Sequence, residues 1–119
     1  MTQTIDVSGA ATQIDTGTVH MTLSAWTGGW SNKFDAAVVY CTTTDASGVT
    51  QPGIYDITNP PSFPPQRSFQ TGTISRSGTW TVPTGTRSIT VSLYIQGQDG
   101  SSPSPGTTAY VDNISLILQ

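Results

Sequence analysis

The chain has 119 residues, room for one domain and little more. Charge is scarce: 4 Lys/Arg and 7 acids, every acid an aspartate, give a net charge of −3 and a charged fraction of 9%, against about 25% in an ordinary soluble domain. No basic patch exists to neutralise a phosphate backbone, and no apolar run approaches the ~18 residues of a membrane helix, so nucleic acid and a membrane span are excluded as readings.

Ten large aromatics (three Trp, four Tyr, three Phe) in a Thr-rich chain punctuated by 12 Gly and 8 Pro argue against disorder and against long helices. Residues 3–8 read as a short opening strand, followed by a turn-like stretch to Gly17. From Thr18 to Trp26 the alternation is strict: Val19, Met21, Leu23 and Ala25 share one face, and His20, Thr22, Ser24 and Trp26 the other. The segment TGGWSNK turns the chain. Residues 35–44 are apolar on both faces around Val38 to Cys41, the pattern of a central strand. The turn Asp45-Ala-Ser-Gly48 follows.

Residues 51–66 contain five prolines, which exclude a central strand or helix. Ile54, Tyr55, Ile57 and Phe63 are too apolar for a slack linker, so this segment reads as an ordered loop laid across the fold. Strand signals resume as two stretches, residues 67–75 and 78–83, and Pro83-Thr-Gly85 turns the chain. Residues 87–96 alternate again, with Ile89, Val91, Leu93 and Ile95 inward and Ser88, Thr90, Ser92 and Tyr94 outward. A polar loop from Gly97 to Thr108 precedes a last strand ending at Leu118. The expected fold is an all-β jelly-roll sandwich of about seven or eight antiparallel strands, with residues 1–119 as a single domain.

The ordered set IDVSG, IDTG, LSAWTGGWSNKFDAAVVY, TDASG, GTWTVPTGTRSITVSL and AYVDNISLIL resembles the galactose-binding-like jelly-roll carbohydrate-binding domains, most of all their F-box-associated-type branch. The similarity spans nearly the whole chain and is weakest over residues 50–70, where the proline-rich segment departs from the pattern. What it implies is non-catalytic sugar binding, by a small lectin or a sugar-binding module, with a glycan or oligosaccharide as partner. A one-site lectin would gain cross-linking ability by forming a homo-oligomer. The alternative on the same composition is a structural or assembly sandwich, such as a coat or adhesin subunit.

Sugar recognition calls for a flat apolar face against the C–H side of a ring and planar polar groups for its hydroxyls. Trp30, Asn32 and Asp35 in the loop after Trp26 supply both; their bland alternative is that Trp26 and Trp30 plug the end of the sandwich and Asp35 caps a turn. For Trp26 the plug is the preferred reading. Tyr55 and Phe63 form a second platform or pack on a sheet edge. Gln96, Gln98 and Asp99 open the polar loop as ligand groups or as solvated residues. The resemblance also implies a structural Ca²⁺ near the first and last strands, for which Asp6, Asp15 and Asp112 are the nearest acids; no cofactor beyond it is implied.

His20, the one histidine, lies on a strand with no triad spacing around it, and one Cys with one His falls short of any closed zinc site. An enzyme is not expected. Cys41 reads as a small buried hydrophobe, and Trp80 as core. The opening residues lack the pattern of a secretory leader, and the free cysteine suits a cytosolic chain or one exported by another route. Beginning at Met1 and ending on a closing strand, the chain suits an entire small lectin, with an excised sugar-binding module as the alternative.

Overall fold

The structure, a computed structural model, describes residues 1–97 and 108–119. Seven strands are described: β1 (Thr2–Asp6), β2 (His20–Gly29), β3 (Ala36–Asp45), β4 (Tyr55–Asp56), β5 (Gly72–Thr81), β6 (Thr86–Gln96) and β7 (Ala109–Leu118). They form two antiparallel sheets, one ordered β1-β6-β3-β4 and the other β5-β2-β7. This is an all-β sandwich, as the alternation required.

The inward rows supply the core. Met21, Leu23 and Ala25 of β2 face Val39 and Cys41 of β3 and Ile89 of β6, all fully or almost fully buried. Each of the larger side chains contributes about 1.5–3 kcal/mol by leaving water. Residues 8–16 depart from the expected turn: a 3-10 turn over Ser8–Ala10 runs into a single helical turn over Ala11–Ile14, which delivers Ile14 into the core. So short a helix carries no readable periodicity.

The two strand stretches expected between residues 67 and 83 are one strand, β5, and Arg67 closes a 3-10 turn over Pro64–Arg67 that precedes it. Gly78 does not break β5; a Cβ there would come within 2.3 Å of the Trp80 ring, which lies over the glycine. At Gly28 the constraint is harder, since a Cβ would fall 1.9 Å from the Gly72 carbonyl oxygen of the paired strand. Only glycine lets β2 and β5 approach this closely.

The proline-rich segment is ordered, as expected. Ile57, Thr58, Ser62 and Pro64 are buried, and Tyr55–Asp56 adds a short edge strand to β3. Its anchor is Arg67, only 7% exposed. The guanidinium donates to the carbonyls of Ser62 (2.9 Å) and Gly29 (2.9 Å), to that of Gln70, and at longer range to that of Lys33 (3.4 Å). Burial pulls its pKa down, with the nearby Tyr110 phenol partly opposing this. Because a planar fork of donors meets acceptors from three separate segments, no other side chain can replace it. Arg67→Met is expected to lower the unfolding free energy by about 3 kcal/mol, since it strands several buried carbonyls. Urea unfolding checks this; a loss below about 1 kcal/mol would contradict the clamp.

At the other end Asp15 pairs with Arg87 (2.7 Å) and also accepts from the Gly85 amide (2.9 Å). The Arg87 hydrogen bond, helped by the Gly85 amide, holds the Asp15 carboxyl below the usual aspartate value near 3.8. Asp6 is likewise held low, by Ser8. A carboxylate whose pKa falls on folding adds stability above its unfolded value, and that stability is lost as pH drops through the folded value. Asp15→Asn should therefore flatten, without abolishing, the decline of the unfolding midpoint below about pH 4, because Asp6 still titrates there. An unchanged acid limb would contradict it.

Candidate functional site

Sheet geometry alternates side chains between core and solvent, so the outward rows are where a sandwich can present chemistry. On the four-stranded sheet, register sets Val38 opposite Tyr94, Tyr40 opposite both Ser92 and Asp56, Thr42 opposite Thr90, and Ala36 opposite Gln96. Thr2 and Thr4 of β1 continue these rows beside Ser92 and Thr90. Tyr40 and Tyr94 stand on the two central strands with ring centroids 6.2 Å apart, edge to face at 76°. Tyr94 is 48% exposed, so it contributes little to the core.

Polar groups surround this pair. Thr4 and Thr90 share a hydroxyl hydrogen bond of 2.9 Å. Asp56 accepts from the Thr58 amide (2.6 Å) and hydroxyl (2.7 Å) through Oδ1, which fixes the carboxylate beside Tyr40. Strand pairing fixes the backbone beneath the set.

The expected loop residues Trp30, Asn32 and Asp35 lie in the loop that joins β2 of the three-stranded sheet to β3 of the four-stranded one. Trp30 (54% exposed) and Asn32 are both open to solvent. The loop is fastened from several sides: Trp30 N donates to Thr108 O (3.0 Å), Lys33 N to Trp30 O (3.0 Å), and Ser31 N to Thr71 Oγ1 (2.9 Å). Phe34 packs against Phe63 with centroids 6.1 Å apart, tying the loop to the proline-rich segment.

Asp35 is buried, and its Oδ2 accepts from the Thr108 amide (3.3 Å) and hydroxyl (3.2 Å). It serves the junction between the loop and β7. Tyr55 turns toward Trp80 (centroids 5.5 Å) on the inward side, the sheet-edge packing that was its alternative. Gln98 and Asp99 lie outside the described residues. Trp26 does not plug the end of the sandwich; it stands on the outward row of β2, 45% exposed. Its place in the alternation with His20, Thr22 and Ser24 was the signal for that position. Tyr40 and Tyr94 were both missed as site residues: the apolar run around Tyr40 hid its alternation, and Tyr94 was read only as an outward position of its strand.

The acids considered for calcium sit apart in function: Asp6 accepts from Ser8 N, Asp15 binds Arg87, and Asp112 faces outward on β7 opposite Trp26. Among the described residues, no three His, Cys, Asp or Glu gather into a metal-holding group. His20 is exposed and has the Thr81 hydroxyl at 3.4 Å. Cys41 is buried with its Sγ 4.0 Å from Met21 Sδ, and burial pushes its thiol up to about 11. Native protein at pH 8 should therefore leave a thiol reagent such as DTNB unreacted over minutes, and denatured protein should release one equivalent; fast native reaction would contradict the burial.

No protein-family model matches the chain, and no curated protein matches it. Among solved structures it is similar to the enzymatically active domain of tailspike protein 4 from bacteriophage CBA120. The two are 15% identical with a TM-score of 0.54, over 99% of this chain and 13% of that one. The chain thus spans about an eighth of the tailspike chain's length, and the likeness shows the fold alone. A CBM22-1 xylan-binding domain from Paenibacillus barcinonensis Xyn10C overlaps at 12% identity and a TM-score of 0.46, covering 97% of this chain and 62% of its own. A family 16 carbohydrate-binding module does so at 19% identity and 0.43, covering 85% and 61%.

Proposed function

We propose that this protein binds carbohydrate, without catalysing its breakdown, on the outer face of the four-stranded sheet. The observation that carries the reading is the tyrosine pair: Tyr40 and Tyr94 lie on adjacent central strands and face outward, with Tyr94 half exposed among hydroxyl, carboxylate and amide groups. An aromatic face takes the C–H side of a pyranose, and the phenol hydroxyls with Asp56 and Gln96 address its hydroxyls. In this reading Trp30 and Asn32, exposed on the loop that leads into β3, are further ligand groups, as are Gln98 and Asp99, which follow Gln96 closely in sequence. The motif set that resembles galactose-binding-like sugar modules supports the same class of ligand. Calcium takes no part in this reading, because Asp6 and Asp15 already serve Ser8 and Arg87.

A glycan array of the purified protein, run with calcium and again with EDTA, is expected to give selective binding that EDTA leaves unchanged. Tyr94→Ala should then weaken the selected glycan at least about tenfold by calorimetry, with stability within about 1 kcal/mol of the wild type. Absence of binding on the array, or wild-type affinity in Tyr94→Ala, would overturn the proposal. Concentration-dependent assembly without sugar would favour the structural alternative.

A further inference from the structure

The second outward face of the sandwich, that of β5-β2-β7, carries a separate depression of about 280 Å³ lined by Ser24, Ala25, Trp26, Ser75, Asn113 and Ser115. Its floor is made by a register shift. Ser24 pairs with Ser115 and Trp26 with Asp112, so Ala25 alone faces two residues, Asn113 and Ile114. Such a bulge bends the strand and re-aims a side chain. The extra residue, Asn113, has φ +58°, a left-handed conformation that asparagine tolerates better than most residues. The result is an amide brought to the rim of the depression beside a half-exposed indole.

We propose that this depression is a second saccharide site, specific for a single neutral, hydroxyl-rich ring. The inference extends the carbohydrate reading above but stands on a different face and on different residues. Trp26 offers the apolar surface, and Ser24, Ser75, Asn113 and Ser115 offer hydroxyl and amide groups that have no side-chain hydrogen bond among the described residues. Asp112, opposite Trp26, adds a carboxylate acceptor. The volume is below the roughly 300–1,000 Å³ of sites for larger ligands, which suits one ring and not a chain.

Charge decides the class of sugar. No cation lines the depression: Lys33 lies in the loop after β2, Arg67 is buried, Arg76 turns to Ser62, and Arg87 pairs with Asp15. A uronate or sialate carboxylate would meet Asp112 with nothing to offset the repulsion. Because the two sheets present opposite outer faces, one chain would carry two sugar sites and bridge two glycans without forming a homo-oligomer.

The test is an amide chemical-shift titration of the wild type with neutral methyl glycosides (glucoside, galactoside and xyloside) and with methyl glucuronide. The expected result is a set of shifts at Ser75, Asn113 and Ser115 for at least one neutral glycoside, at least about tenfold weaker for the glucuronide. Trp26→Ala should erase that set. Asn113→Gly, which keeps the left-handed backbone, should weaken it while leaving shifts around Tyr94 intact. Shifts at Tyr94 and Gln96 alone would overturn this inference and leave the first site standing. Shifts at the Trp26 face alone would uphold it and count against the tyrosine face. Silence on both faces, or shifts at the Trp26 face that depend on protein concentration and not on sugar, would overturn it.

Discussion

The Arg67 guanidinium, withdrawn from water and facing backbone carbonyls, is the interaction on which one end of the sandwich depends. It reaches the proline-rich segment at Ser62, the end of β2 at Gly29 and the following loop at Lys33, and so makes one body of three stretches that have no strand pairing in common. A buried cation is costly unless its donors are satisfied. Here they are satisfied by carbonyls that would otherwise themselves be stranded. Phe34 against Phe63, and Asp35 against Thr108, then fasten the same loop from its other sides.

What this achieves is rigidity where the sheets end. Trp30 and Asn32 ride on a loop that the clamp holds still, and the loop leads directly into β3, the strand that carries Tyr40. On the opposite side the same β2 that ends at Gly29 presents Trp26 outward, so one central strand serves the core with Met21, Leu23 and Ala25 and solvent with its alternate residues. Strand pairing fixes the backbone under both faces, so under the proposed reading a ligand on either would have only side chains left to order.

Much of this was legible in the sequence, for a physical reason: period-two alternation survives wherever one face of a strand is wet. Residues 18–26 and 87–96 announced their strands and their inward rows, and the apolar run around Cys41 announced a central strand. The Trp26 position was written in the same alternation, yet a tryptophan among glycines invites a reading as a plug. Other features left no pattern. The helical turn ending at Ile14 is too short to show a period, and Gly78 looks like a break although Trp80 covers it. Arg67, taken as the first residue of a strand stretch, carries no sign of its burial until three segments converge on it. The bulge at Asn113 is set by pairing between distant strands, which spacing within one strand does not report.

The central claim, that outward aromatics on rigid strands form the ligand surface, is tested most directly by a crystal structure of the protein with the oligosaccharide that an array selects. The account predicts a pyranose ring lying against Tyr94, with hydroxyls in hydrogen-bond reach of Gln96 or the Tyr40 phenol. A sugar seated elsewhere, with both tyrosines and Trp26 bare, would contradict it.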